Sequence, residues 1–237
     1  MCSNYRPVTR MDRLLTFFGV ERGREDTPPK DAFPASQAPF IRLAAASGGE
    51  GQPALVAEDG YFGLLPHFAT EIEYGRRTYN ARSETVARLP SFKPAWTAGQ
   101  RCIVPVEWVY EPCWETGRAV RWRIEIGGGV PMGIAGIYRL WTAPDGTKSF
   151  SFAMLTVNAD AHPLMGRMHR PGEEKRMVVI LDRTEYGPWL TCTVAESLQY
   201  IKRWEGPLEG HPDPMPPRAT RVKPVLDVPA EPGDLFD

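Results

Sequence analysis

"AVRWRIEIGGGVPMGIAGIYRLWTAPDGTKSFSFAMLTV", residues 119–157, decides the fold class. Val120, Trp122, Ile124 and Ile126 alternate with Arg121, Arg123 and Glu125, the period of a strand with one apolar face. The glycines at 127–129 predict a turn into a second strand, "VPMGIAGIYRLW", and "APDGTKS" predicts another turn into a third, "FSFAMLTV". Upstream, "RCIVPVEWVYE" (Arg101 to Glu111) is apolar and β-branched enough for a strand. These segments read as consecutive antiparallel strands joined by hairpins. Helices are expected around them: over "LLTFFGV" (Leu14 to Val20), after a strand end in "TYNARSETVARL" (78–89), over "DAHPLMGRM" (160–168) and over "TVAESLQYIKRW" (193–204). Residues 27–53, rich in Pro, Gly and Ala, read as irregular surface structure. The class is therefore α+β. From Glu205 to Asp237 the chain holds eight prolines and seven acidic residues against three basic, which predicts a tail beyond a single domain at 2–204.

Composition narrows the function. The chain has 237 residues, 42% hydrophobic and 24% charged, with a formal net charge of −1, so bulk basicity does not advertise nucleic acid. No run approaches the length of a membrane span, and "LLTFFGV" shows no small-residue cleavage site. Cys2, Cys102, Cys113 and Cys192 include no C-x-x-C, and His67, His162, His169 and His211 are scattered. The expectation is a reduced, cytoplasmic compartment, no metal, no organic cofactor and a monomer, with Cys102 and Cys192 as buried hydrophobes. Locally the charge differs: residues 76–101 hold six basic residues and one acidic, a patch suited to a phosphate backbone or simply a solvated face.

Four places carry possible chemistry. "YNARSET" (79–85) packs Asn80, Arg82, Ser83 and Glu84 together, either as a helix start capped by Ser83 or Asn80 or as a site. Glu111 ends an apolar, aromatic strand, a setting that raises a carboxyl pKa and suits it to proton transfer. Glu107, four residues earlier, would share its face on an ideal strand and is a rival. His169 precedes a Pro-Gly turn, and Arg176 leads into "MVVIL". Finally, the chain opens Met-Cys, and Cys is small enough for Met1 to be removed. Cys2 would then carry a thiol and a free α-amine.

Taken together, "MC", "NARSET", "RCIVPVEWVYE" and "MHRPGEEKRMVVIL" resemble the signatures of the SOS-response-associated peptidase family of abasic-site processing proteins, in the family's order from residue 2 to about 190. "FGLLP" (62–66) and "GIAGIY" (133–138) are similar to further family stretches. The resemblance implies curved, barrel-like antiparallel sheets flanked by helices around a DNA-binding cleft. It implies catalytic roles for Cys2, Asn80, Glu111 and His169, with His162 a minor rival, and DNA contacts from Arg82, Arg176, Arg77, Phe62 and Pro34. The chain departs from the family at Ser3-Asn4, Phe62 and Pro112, and "RPGEEK" lengthens the segment between the histidine and the arginine; Trp108 or Trp114 could replace a missing base-stacking Trp.

The chemistry so implied is capture of the ring-opened aldehyde of an abasic site in single-stranded DNA by the Cys2 amine, then closure of a thiazolidine by its thiol. Strand cleavage and self-removal of Met1 are further implied activities. An N-terminal-nucleophile amidohydrolase, also starting at Cys2, is a second reading. A third is a nucleic-acid-binding module built on the 76–101 patch alone.

Overall fold

The structure is a computed structural model and describes residues 2–23, 30–44 and 54–215. In chain order its strands are β1 (Asn4–Pro7), β2 (Gln37–Leu43), β3 (Leu55–Phe62), β4 (Asn80–Arg82), β5 (Arg101–Cys113), β6 (Val120–Glu125), β7 (Met132–Thr142), β8 (Lys148–Asn158), β9 (Arg176–Val178), β10 (Ile180–Leu181) and β11 (Glu209–Pro212). Three short α-helices, α1 (Met11–Phe18), α2 (Lys93–Thr97) and α3 (Tyr186–Thr191), lie around them.

Strands β5, β7, β8, β3 and β2 pair in that order, and β2 returns to β5, so the sheet closes into a five-stranded barrel. The core is aromatic and aliphatic. Phe40, Phe62 and Phe152 are fully buried and pack ring against ring, alongside Ile103, Val104, Ile134 and Ile137. The α+β, barrel-like expectation holds.

Strand β5 organises everything else. Its Arg101–Val106 half pairs with β7 inside the barrel, whereas Val109–Cys113 pairs with β6 outside it. Between the halves, Arg6 of β1 faces Trp108 and Pro7 faces Val106, which leaves Glu107 opposite no residue. Such a bulge bends a strand and breaks its two-residue alternation. Glu107 and Glu111 therefore do not share a face, contrary to the ideal-strand expectation. Glu107 forms a two-pronged ion pair with Arg13 of α1, at 2.7 and 2.6 Å, and Glu111 turns inward, 2% exposed.

Several expectations are corrected. Strands β6 and β7 do not form a hairpin with each other; both pair with β5, and only a single bridge, Ile126 to Val130, spans the glycine turn. The pairs β3–β8 and β4–β8 are parallel. Within residues 27–53, "QAPFIRL" is strand β2, because its apolar residues pair fully with β3. Of the expected helices only the first forms, from Met11 to Phe18, buried at Leu14 and Phe18 and stopped by the left-handed Gly19 (φ +66°). In the second, Ser83 N–H is drawn to Thr156 O, tying the chain to the sheet, and turns replace the helix from Ser83 to Arg88. The last two shrink to single 3-10 turns, Met165–Arg167 and Glu196–Gln199. Cys102 is buried, but Cys192 is only half-buried.

The expected boundary after residue 204 does not end the sheet: β11 pairs with β6 through Pro212. The remainder of the expected tail, 216–237, lies outside the described residues.

Candidate active site

Cys2 precedes β1, whose register sets Asn4 opposite Tyr110. Two residues earlier in the same antiparallel run, Cys2 lies at the end of β5, where the charge of Glu111 acts on its thiol. Asn80, at the start of β4, donates from Nδ2 to the Cys2 carbonyl at 2.9 Å. Its Oδ1 is buried with no hydrogen-bond partner among the described residues.

His169 reaches the same place from the far end of the sequence. Met168 bridges to Cys113, and His169 N–H donates to Pro112 O at 2.7 Å, so the loop is clamped to β5 immediately after Glu111. His169 adopts φ +62°, a left-handed conformation uncommon outside glycine and concentrated at functional sites. Its Nδ1 lies 3.5 Å from Glu111 Oε2, with both side chains buried. On the other side, Nε2 is 3.1 Å from Arg176 O. A carbonyl only accepts, so Nε2 carries a proton. Nδ1 is therefore the ring nitrogen that faces the Glu111 carboxylate.

Electrostatics agree with that geometry. Burial raises the Glu111 carboxyl above its ordinary value, opposed in part by His169. Burial, and then the charge of Glu111, push the Cys2 thiol far up, so it rests protonated. Tyr79 is raised by burial, Cys2 and Glu111, in that order, which marks it as a wall of the site. In the sequence, its position beside Asn80 is the one signal that could mark Tyr79.

The arginines divide. Arg82 is exposed and ion-pairs with Glu174. Arg176 is 2% exposed and engaged through both terminal nitrogens: it donates to both Glu84 oxygens at 2.9 and 3.0 Å, to Glu174 at 2.7 Å and to Thr156 O at 2.8 Å. Such commitment suits a residue that shapes the site better than one that meets a phosphate directly. Arg77 is exposed on a 3-10 turn, and Pro34 is part-exposed in the turn before β2. Phe62 is corrected outright: it is fully buried against Tyr5, Tyr79 and Phe152 and cannot stack on a base from there. Next to it, Gly63 has φ +130°, and a Cβ there would lie 2.2 Å from Gly75 O, so "FGLLP" needs its glycine for close backbone approach.

Arg101 also leaves the basic patch, since it is buried between Trp96 and Trp189 at 4.0 and 5.3 Å. Arg76, Arg77, Arg82, Arg88 and Lys93 remain exposed. Trp108 is sandwiched by Arg6 and Arg123, while Trp114 lies against Arg170, beside His169. His162 accepts at Nδ1 from Leu164 and Met165 N–H and so caps a turn, which removes it as a rival. Among the described residues, no group of three or more His, Cys, Asp or Glu is arranged to hold a metal, and no helix is long and apolar enough to cross a membrane.

A family model described as SOS response associated peptidase matches residues 1–212. The abasic site processing protein YoqW of Bacillus subtilis (strain 168) is 30% identical over 193 residues, 80% of each chain. YobE of the same organism, also called an abasic site processing protein, is 30% identical over 193 residues, 80% of this chain and 82% of its own. A crystal structure of a protein from Bordetella bronchiseptica superimposes with a TM-score of 0.81 at 34% identity, covering 90% of this chain and all of its own.

Proposed function

The chain belongs to the SOS response associated peptidase family, and we propose that it captures abasic DNA covalently through Cys2. Its function is abasic-site processing, and its substrate is DNA. The covalent route is our reading, and the gathering of Cys2, Asn80, Glu111 and His169 in one buried site carries it.

An abasic deoxyribose is in equilibrium with its ring-opened aldehyde. His169 gives a proton to O4′ as the ring opens, and Glu111 lies near enough to take part in its return. With Met1 removed, Cys2 presents an α-amine whose ordinary pKa of about 7.7–8.0 leaves a useful neutral fraction at physiological pH. The amine lone pair forms a bond to C1′, and the carbonyl oxygen takes up a proton to give a carbinolamine. Loss of water, with the proton supplied by Glu111, leaves an imine. The thiol then adds across the C=N bond: sulfur bonds to C1′, the thiol proton passes to nitrogen, and a thiazolidine closes.

This order suits the resting thiol. Because burial keeps it protonated, it is a poor first nucleophile, and the amine must act before it. The same feature weighs against a cysteine amidohydrolase, which needs an activated thiol at the start. Asn80 fixes the Cys2 carbonyl through Nδ2 and offers Oδ1 to a sugar hydroxyl. Single-stranded DNA is the fitting form, since its sugar reaches a recessed residue without a duplex being opened.

The test is incubation with a single-stranded abasic oligonucleotide, read by intact mass. The reading predicts an adduct at Cys2 with the mass of protein lacking Met1 plus oligonucleotide minus one water. Absence of any adduct would refute it.

A further inference from the structure

The segment "RPGEEK" between His169 and Arg176 is folded tightly onto the domain. Lys175 N–H donates to Asp160 at 2.8 Å, Ala159 N–H donates to Lys175 O at 2.7 Å, and the Lys175 ammonium donates to Arg170 O at 2.8 Å. This pinning delivers one side chain, Glu174, to the arginines beside the site. One carboxylate oxygen meets Arg82. The other takes Arg176 at 2.7 Å and Asn158 Nδ2 at 3.2 Å. A carboxylate bridging two guanidinium groups has the charge, oxygens and spacing that a backbone phosphate would present there. Arg82 and Glu174 keep 44% and 37% of their side-chain surface in solvent, so the contact can be displaced.

We propose that Glu174 is a specificity-determining residue that occupies the phosphate position at Arg82, so that a DNA strand binds only by displacing it. The proposal rests on the reading of the protein as one that acts on abasic DNA. Its consequence is selectivity. Phosphates are common to damaged and undamaged strands, and a competing carboxylate weakens both alike. The aldehyde, present only at an abasic site, then decides which strand is retained. Arg176, buried beneath, holds Glu174 in register through the bond on its inner oxygen.

The experiment compares Glu174→Gln with Glu173→Gln, which removes the same charge from the neighbouring exposed position. Binding of an undamaged single-stranded oligonucleotide is measured by fluorescence anisotropy across a salt series, with crosslinking of the abasic strand measured alongside. Glu174→Gln should bind the intact strand about 3- to 10-fold tighter at low salt, the range for releasing one or two part-exposed ion pairs. Glu173→Gln should change affinity less than about 2-fold, and the gain should vanish when Arg82→Ala is added. Equal gains in both single variants, or none in Glu174→Gln, would overturn the proposal. If wild type crosslinks abasic DNA and Glu174→Gln gains nothing, this inference alone fails. If no variant binds or crosslinks, the functional reading falls with it.

Discussion

Glu111 Oε2 and His169 Nδ1 stand 3.5 Å apart in a buried setting, while the opposite ring nitrogen faces a carbonyl oxygen. The two side chains are thus placed for a proton to pass between them in a buried site. Residues 58 positions apart are locked this way because the His169 loop hydrogen-bonds to β5 at Pro112.

Glu111→Gln should slow adduct formation by about 10²–10⁴-fold, the usual contribution of a positioned proton-transfer group. Affinity for an intact single strand should barely change. Glu107→Gln should leave the rate near wild type, since Glu107 serves Arg13. Single-turnover kinetics decide, and the reverse pattern would make Glu107, not Glu111, the proton-transfer group.

The same carboxyl gives a stability signature. Burial raises its pKa above the ordinary 4.5. An acid raised in the folded state stabilises the fold below that ordinary value, and the contribution is lost as pH rises through the folded value. Glu111→Gln abolishes the loss, so its melting temperature should exceed that of wild type increasingly as pH rises above 4.5. Thermal melts from pH 4 to 8 test this; a pH-independent difference would contradict it.

Arg82 and Arg176 should separate cleanly. Arg82→Ala should leave the melting temperature almost unchanged but flatten the log K against log salt slope for single-stranded DNA by about 0.7, one phosphate contact. Arg176→Ala strips partners from Glu84, Glu174 and Thr156, and should cost about 2–4 kcal/mol in denaturant unfolding. Equal loss of stability in both would make Arg82 structural.

Phe62→Ala should cost about 3–5 kcal/mol, as expected for a buried aromatic, because its ring is closed in by Tyr5, Tyr79 and Phe152. Urea titration measures it. A stable variant that merely loses DNA affinity would return Phe62 to the DNA-facing surface.

Legibility in the sequence followed the physics of each segment. Strands β5, β7 and β8 were readable because β-branched and aromatic residues run in them between clear turn signals. Strand β2 was hidden by the Pro, Gly and Ala around it, and the parallel β3–β8 pairing joins segments too far apart for any local pattern. Short helical periods misled where Ser83 and Asn80 bind the sheet instead. Motifs point to Cys2, Asn80, Glu111 and His169; local chemistry leaves Glu107 and Glu111 level, since the bulge separating them leaves no mark in composition. Burial is invisible in a motif, so the sequence points Phe62 and Arg176 toward DNA, and nothing local marks Glu174, whose arginine partners come from β4 and β9.

The central claim is that Cys2 supplies two nucleophiles, and Cys2→Ala tests it most directly. The variant keeps a terminal amine once Met1 is removed but has no thiol. Each protein is mixed with a single-stranded abasic oligonucleotide, with and without borohydride, and resolved on a denaturing gel. Wild type should give a heat-stable adduct without reductant. Cys2→Ala should give one only when borohydride traps the imine, and Cys102, Cys113 and Cys192 should not compensate, having no adjacent amine. A stable, reductant-independent adduct in Cys2→Ala would contradict the account.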